Sequence, residues 1–515
     1  MSEETGNFRT DTLNSPEKTC SGTEVIPLGR PGCSLLALCF AAALTYSFGH
    51  DWFDPSGFGP GIGLAVTHLI LTAAALLAAK RQKRLRFSRT GIFLLAISAL
   101  LGTSYAVFAN AAMRRMNLPV LCLVTAQALF VLTGANRGYA LSGAGLWEGL
   151  RRYGDSLVRW WKTPFVSLAR KTGSGKDVRR NLFPGVMLAL AASLTAAFIL
   201  STADQVFSGI LQGAAERAAR ADGTFVLRAL LALALTLALF SHRFSLLQKP
   251  REIPAPSPRV TDAAAFCLVL AGLSLVYALF GYVQIRYLFA GIESVRMSGG
   301  YASYARSGFF QLVLVGLLTL GVILPALALF GENRAVRLLC ALTSLLTAVI
   351  DVSAFVRMRL YTQAYGLSTL RVVTLWGIGV IMIALLAVVA KTAWPGWKLC
   401  PILAAVVLIS WAALNWINVD RVVANDLVFR YNTNTEGTVS LQTLASDQYW
   451  SPDYYAAFGN IVDPSARREA LGMLDERAEE ERSGRPMIDP PAYDWSLAWL
   501  RCGGDADRDG AGIGE

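Results

Sequence analysis

The stretch RMRLYTQAYGLSTLR, Arg357 to Arg371, separates two long apolar runs and carries three arginines. If the runs on either side cross a bilayer, this connector lies at one of its surfaces. Which surface, and what the arginines do there, fixes the threading of the whole chain. A membrane chain is what the composition describes: 54% of the 515 residues are hydrophobic, 16% are charged and the mean hydropathy is +0.44. A soluble domain carries about a quarter charged residues. The apolar runs are continuous rather than alternating, so the spans are helices and not barrel strands.

Windows of about twenty residues predict eleven spans, at 33–49, 60–79, 91–110, 118–136, 183–203, 225–241, 263–285, 308–330, 338–356, 372–390 and 399–418. The expected fold is therefore all-α and polytopic, with about 11 transmembrane helices and a small soluble helical C-terminal domain. Lysine and arginine set the orientation, because cytoplasmic connectors hold the excess. With the N-terminus inside, the inner segments carry 27 basic and 11 acidic residues, and the outer side carries 20 and 25. Reversing the chain places KRQKRLR (80–86) outside, against the rule. The net charge of +11 then belongs to a surface facing anionic lipid, and nucleic acid is not an expected partner.

The predicted organisation is a cytoplasmic polar arm (1–32), four spans (33–136), a basic cytoplasmic linker (137–182), a core of seven spans (183–418), an extracytoplasmic helical tail (419–502) and a disordered end (503–515). Within the linker, apolar residues at 146, 150, 153, 157, 161, 165 and 168 fall near helical spacing, with arginines elsewhere around the wheel. That pattern predicts a helix lying on the inner membrane surface, with a plain basic linker as the alternative. Everything beyond Asn418 together holds 18 acidic and 9 basic residues.

The phrases STADQVFSGIL (201–211), VYALFGYVQIRYLF (276–289), YASYARSGFFQLVLV (301–315), the opening stretch, NWINVDRVVANDLVFRYN (415–432), LQTLASDQYWSPDYYAAF (441–458) and YDWSLAWL (493–500) occur in this order. Together they resemble a family of bacterial polytopic membrane proteins, domain of unknown function 4173, with kin in the related 4153 class. The likeness runs from about Arg179 to Arg501, and the four leading spans share only hydropathy with it. Gln205 stands where the family tends to have proline. The resemblance implies the fold and a bacterial cell membrane; it brings no reaction, substrate or cofactor. In the predicted threading these phrases map to the outer half of the membrane or beyond, which makes that face the expected recognition surface.

The candidate site residues follow from charge in apolar surroundings. Asp351 lies roughly 9 Å inside the outer end of its span, where a carboxylate needs a partner or water. Arg228, at similar depth in another span, is the expected partner. Arg357, Arg359 and Arg371 either anchor at headgroups or close onto carboxylates such as Asp204, Asp420 or Asp426. Gln284 and Gln311 are span residues within the family-like phrases. His68, Gln127, Asn110 and Asn415 read as interhelical hydrogen-bonding residues.

The stretch KTGSGKD (171–177) has Arg170 and Asp177 at the first-glycine and Ser/Thr positions of a phosphate loop, and fails as one. Neither a spaced Cys/His set nor a catalytic motif is visible in the sequence, so no cofactor or metal is expected. The reading is a non-enzymatic envelope protein binding a partner or ligand at its extracytoplasmic face, with membrane lipids around it and a possible envelope protein on its tail. The alternatives are a membrane-embedded enzyme using outer carboxylates on a lipid or glycan, and a solute or lipid transporter.

Overall fold

The computed structural model describes residues 30–49, 60–136, 140–165, 224–248, 263–289, 309–433 and 451–483. By its contacts the chain divides into two units, Met1–Cys33 with Lys162–Leu211, and Ser34–Trp161 with Gln212–Glu515; the bundle belongs to the second. Among the described residues there is no strand. The helices are α1 (Arg30–Gly49), α2 (Ile62–Arg81), α3 (Arg89–Val107), α4 (Ala111–Leu132), α5 (Gly143–Arg159), α6 (Thr224–Leu246), α7 (Ala263–Phe289), α8 (Phe309–Phe330), α9 (Arg334–Tyr365), α10 (Thr369–Ala393), α11 (Leu399–Trp416) and α12 (Val419–Asn432). A 3-10 turn (Pro452–Tyr454), α13 (Tyr455–Phe458) and α14 (Pro464–Ser483) follow. Nine of the described helices are long and apolar enough to cross a bilayer, and α1 adds the shorter apolar stretch Gly32–Phe48. These ten coincide with ten of the eleven expected spans; the fifth, 183–203, lies outside the described residues.

Polar residues start the helices. Ser88, Asn110, Ser142, Asn333, Ser368 and Asn418 each accept a hydrogen bond from a backbone N–H in the following first turn. The first N–H groups of a helix have no partner within it, and a short oxygen-bearing side chain satisfies one of them. The described connections fall at two ends of the bundle. At one end, Trp416 Nε1 donates to Leu100 O at 3.0 Å and the ring meets Phe108 edge-on. At the other, Arg86 N donates to Leu132 O at 2.7 Å. We call these the tail end and the linker end.

Buried apolar residues hold the layers together. Leu94, Leu101 and Tyr105 of α3, Val124 of α4 and Trp411 of α11 share one cluster with Val423 and Leu427 of α12, Phe458 of α13, and Ala470 and Leu474 of α14. The described tail is thus packed into the same core as the spans. A second cluster joins α7 to α11 through Leu270, Ile323, Val336, Val388 and Leu403.

Two observations refine the expected connectors. Arg357–Tyr365 are not a loop: they continue α9, whose 32 residues reach about 48 Å against a hydrocarbon core of about 30 Å. Only Gly366, Leu367 and Ser368 link it to α10. The linker does hold a helix, α5, but it packs through small residues, with Gly145, Gly149 and Ser156 buried while Leu146, Trp147, Leu150 and Val158 are exposed. An apolar face turned away from the protein suits a helix resting in the membrane interface.

Gly149 seats α5 on α4. A Cβ there would overlap the Gln127 amide, whose Nε2 donates to Ala140 O at 2.9 Å and Gly145 O at 3.3 Å. Gly149→Ala displaces that amide and takes the side-chain donor from Ala140 O, while Gly145 O keeps Asn136 Nδ2 at 3.2 Å; the cost is about 1–3 kcal/mol if the Ala140 carbonyl stays buried. The detergent-solubilised variant therefore melts lower than wild type. Because both changes remove the same bonds, Gly149→Ala combined with Gln127→Ala melts no lower than Gln127→Ala alone; additive losses would refute the shared cause.

Candidate functional site

At the tail end three helix N-termini meet on one carboxylate. Asn110 caps α4, its Oδ1 accepting from Met113 N at 2.8 Å, and its Nδ2 donates to Asp420 Oδ1 and to Thr369 Oγ1. Thr369, the first residue of α10, donates its hydroxyl to the same Asp420 oxygen at 3.5 Å. Asp420 itself lies in the first turn of α12 and is 5% exposed. Helix N-termini carry partial positive charge, so a carboxylate at their convergence is held by field as well as by donors. Asn418 extends the cluster, donating from Nδ2 to Asp453 Oδ1 at 2.9 Å. Burial raises the Asp420 carboxyl to about 7, opposed by hydrogen bonds from Ser451, Asn110 and Thr369 and reinforced by the charge of Asp453.

Beside it, two arginines close the C-terminus of α9. Arg430 pairs with Asp426 at 2.9 Å and donates from Nη1 to Gln363 O at 2.6 Å and from Nη2 to Thr362 O at 2.9 Å. Asp426 Oδ2 accepts from Leu367 N at 2.8 Å. Arg371 donates to Tyr365 O at 2.9 Å and Gly366 O at 2.6 Å, with its guanidinium 4.4 Å from the Tyr361 ring centroid. The last carbonyls of a helix carry its partial negative charge, and cations belong there. That is the work of Arg371 in the opening stretch. Gly366 makes the turn at φ +74° and ψ −179°, a region open essentially to glycine alone.

The remaining candidates are dispersed. Asp351 is buried on α9, and neither of its oxygens has a hydrogen-bond partner among the described residues; the expected pair with Arg228 is not made there. Asp351 is preceded on its helix by Thr343 and Thr347, whose hydroxyls meet Ser274 at 2.8 Å and Thr319 at 3.3 Å. Arg228 is half-buried on α6, Arg357 half-buried and Arg359 exposed on α9, and Gln311 exposed on α8. Gln284 falls in the closing turns of α7, and Asp204 lies outside the described residues. Asp426 and Arg430, four apart on α12, complete the tail-end cluster; their i,i+4 spacing in NDLVFR was the available signal.

The linker end holds a site that sequence reasoning passed over, because its cation was counted among connector charges. His242 and Arg243, in the last turns of α6, are buried. His242 Nδ1 meets Ser156 Oγ of α5 at 2.8 Å, and its ring lies edge-on to Phe130 and Tyr153. Both residues line a cavity of about 220 Å³ together with residues of α1, α2, α4 and α5, among them His68, whose Nε2 meets Ser98 Oγ at 3.1 Å. No group of three or more potential metal ligands exists among the described residues.

Long apolar helices, polar caps at their ends and no strand among the described residues define an all-α polytopic membrane protein. The family model described as Domain of unknown function (DUF4153) matches residues 95–451, and the chain belongs to that family. The family is thus the 4153 class rather than the 4173 class that the sequence phrases suggested. Its match takes in most of α3 and all of α4, and with them Asn110, and ends at Ser451, so it includes the tail-end cluster except Asp453 and most of the helices. No curated protein and no solved structure matches the chain.

Two outcomes follow from this geometry. A carboxyl raised by burial binds its proton more tightly in the docked tail than in a detached one, so docking is strongest below pH 7 and weakens as pH rises through about 7. Hydrogen exchange of residues 451–483, corrected for intrinsic rates, accelerates between pH 6 and pH 8, and Asp420→Asn abolishes that change; a wild-type tail equally protected at both values refutes the dependence of docking on Asp420. Gly366→Ala strains the turn by about 1–3 kcal/mol and lowers the melting temperature. Gly366→Asn gives no relief, since ψ lies far from the left-handed helical well that asparagine tolerates.

Proposed function

We propose that this is a non-enzymatic binding protein of the bacterial cell membrane, threaded with its N-terminus in the cytoplasm and its C-terminal tail outside, and that the tail face receives a protein partner. The reading is supported above all by the tail's integration into the bundle. Its buried residues Val423, Leu427, Phe458 and Leu474 are continuous with the core of the spans, so the tail is a fixed platform rather than a tethered arm. On that platform Phe429 is 66% exposed and Val462 75% exposed. They are near neighbours, because Asn432, one turn beyond Phe429, accepts from Val462 N at 3.0 Å. Contiguous exposed apolar surface marks contact sites, and this adjacent pair is where such a contact would form.

The enzymatic alternative loses ground because Asp420 and Asp426 are engaged in holding helices together. The lipid or solute alternative has one observation in its favour, the cavity at the linker end.

A photo-crosslinking residue at position 429, introduced in the native host, tests the proposal. The expected outcome is a discrete protein adduct that is absent when the same probe replaces Arg81 at the linker end. Adducts to lipid alone would reject the partner reading. Labelling of Cys502 in intact cells by a thiol reagent that cannot cross membranes checks the threading separately.

A further inference from the structure

We infer that the cavity at the linker end binds an anionic lipid, with Arg243 receiving the headgroup phosphate. Arg243 is 8% exposed. Among the described residues it makes no hydrogen bond or ion pair, and its Nε is buried without an acceptor. A guanidinium withdrawn from water needs an anion, since an unpaired buried charge costs several kcal/mol. The same wall carries His242, whose Nε2 also lacks a partner among the described residues.

The cavity's lining argues for an amphiphile. Along α6, Arg243 lies in the last turn, with Leu239 and Leu235 one and two turns deeper on the same face, and all three line the space. Ala42 and Leu64 of α1 and α2 continue the apolar part. Tyr46, Thr67, His68 and Thr125 interrupt a lining that is otherwise mainly apolar, and a cation facing a mainly hydrocarbon space matches a headgroup followed by the start of an acyl chain. Depth argues the same way. Arg243 stands three residues from the end of α6, roughly 5 Å, and His242 beside it is bonded to α5, the helix whose apolar face is exposed as it would be at the interface. Basic pockets between spans at that level are suited to lipid phosphates. At about 220 Å³ the space is below the roughly 300–1,000 Å³ that encloses a whole drug-sized ligand, so the headgroup and upper chain enter while the rest stays in the bilayer.

The test uses the full chain in detergent and in nanodiscs, with phosphatidylglycerol, phosphatidylcholine and inorganic phosphate as probes, read by native mass spectrometry and by melting temperature. Phosphatidylglycerol is retained and stabilises the wild type; phosphatidylcholine and phosphate do neither. Arg243→Gln weakens retention about tenfold or more, equivalent to at least about 1.4 kcal/mol, and Arg243→Lys retains part of it. Ala238→Phe, which fills the apolar part and leaves the cation, also loses the lipid. Should Arg243→Gln fail to fold, Ala238→Phe decides: unchanged phosphatidylglycerol retention in that variant overturns the assignment. Stabilisation by inorganic phosphate that survives Ala238→Phe shows a free-anion site instead, and retention equal to wild type in Arg243→Gln overturns the role of Arg243.

Discussion

The tail end of this protein depends on a single carboxylate placed where three helices begin. Asn110 opens α4, Thr369 opens α10, and Asp420 stands in the first turn of α12. A helix emerging from a bilayer still needs partners for its first N–H groups, and three such ends brought together concentrate partial positive charge. Asp420 takes hydrogen bonds from the other two starts, and burial raises its carboxyl to about 7, so the site holds it best with its proton. The tail follows from this contact, because α12 delivers Val423 and Leu427 into the cluster that also holds Leu101 and Trp411.

The C-terminus of α9 shows the complementary rule. Arg371 and Arg430 donate to its last carbonyls, and Gly366 turns the chain so that Leu367 N reaches Asp426. Three helices are thereby joined by backbone groups that would otherwise lack partners, beside the apolar contacts of Ile350 and Met358 with Ile378.

The spans were legible because hydropathy over twenty residues is a strong signal, and ten of the eleven coincide with helices. Connectors were less legible for a definite reason. Arg357, Arg359 and Tyr361 end an apolar run and so read as loop, yet arginine is a good helix former and nothing before Gly366 interrupts the backbone. Arg371 of the same stretch was visible and its purpose was not, since its acceptors, Tyr365 O and Gly366 O, are main-chain carbonyls that no side-chain pattern reports. Asp351 was conspicuous for the opposite reason, a charge amid apolar residues, but a partner assigned by depth alone proved too weak an inference. Small residues were silent altogether: Gly149 carries no signal until Gln127 is seen lying in the space that its missing Cβ leaves.

Charge is disposed differently at the two ends, and that difference separates holding from binding. At the tail end Asp420, Asp426, Arg430 and Arg371 all have partners on other helices or on the 366–368 connector, so their chemistry is absorbed in the fold. At the linker end Arg243 borders an open cavity with no acceptor on its Nε among the described residues. A fold that only needed to fill this space had apolar side chains available, as the leucines on the same face of α6 demonstrate. Retaining a buried guanidinium there is unfavourable unless an anion completes it, and the bilayer supplies phosphates at that depth.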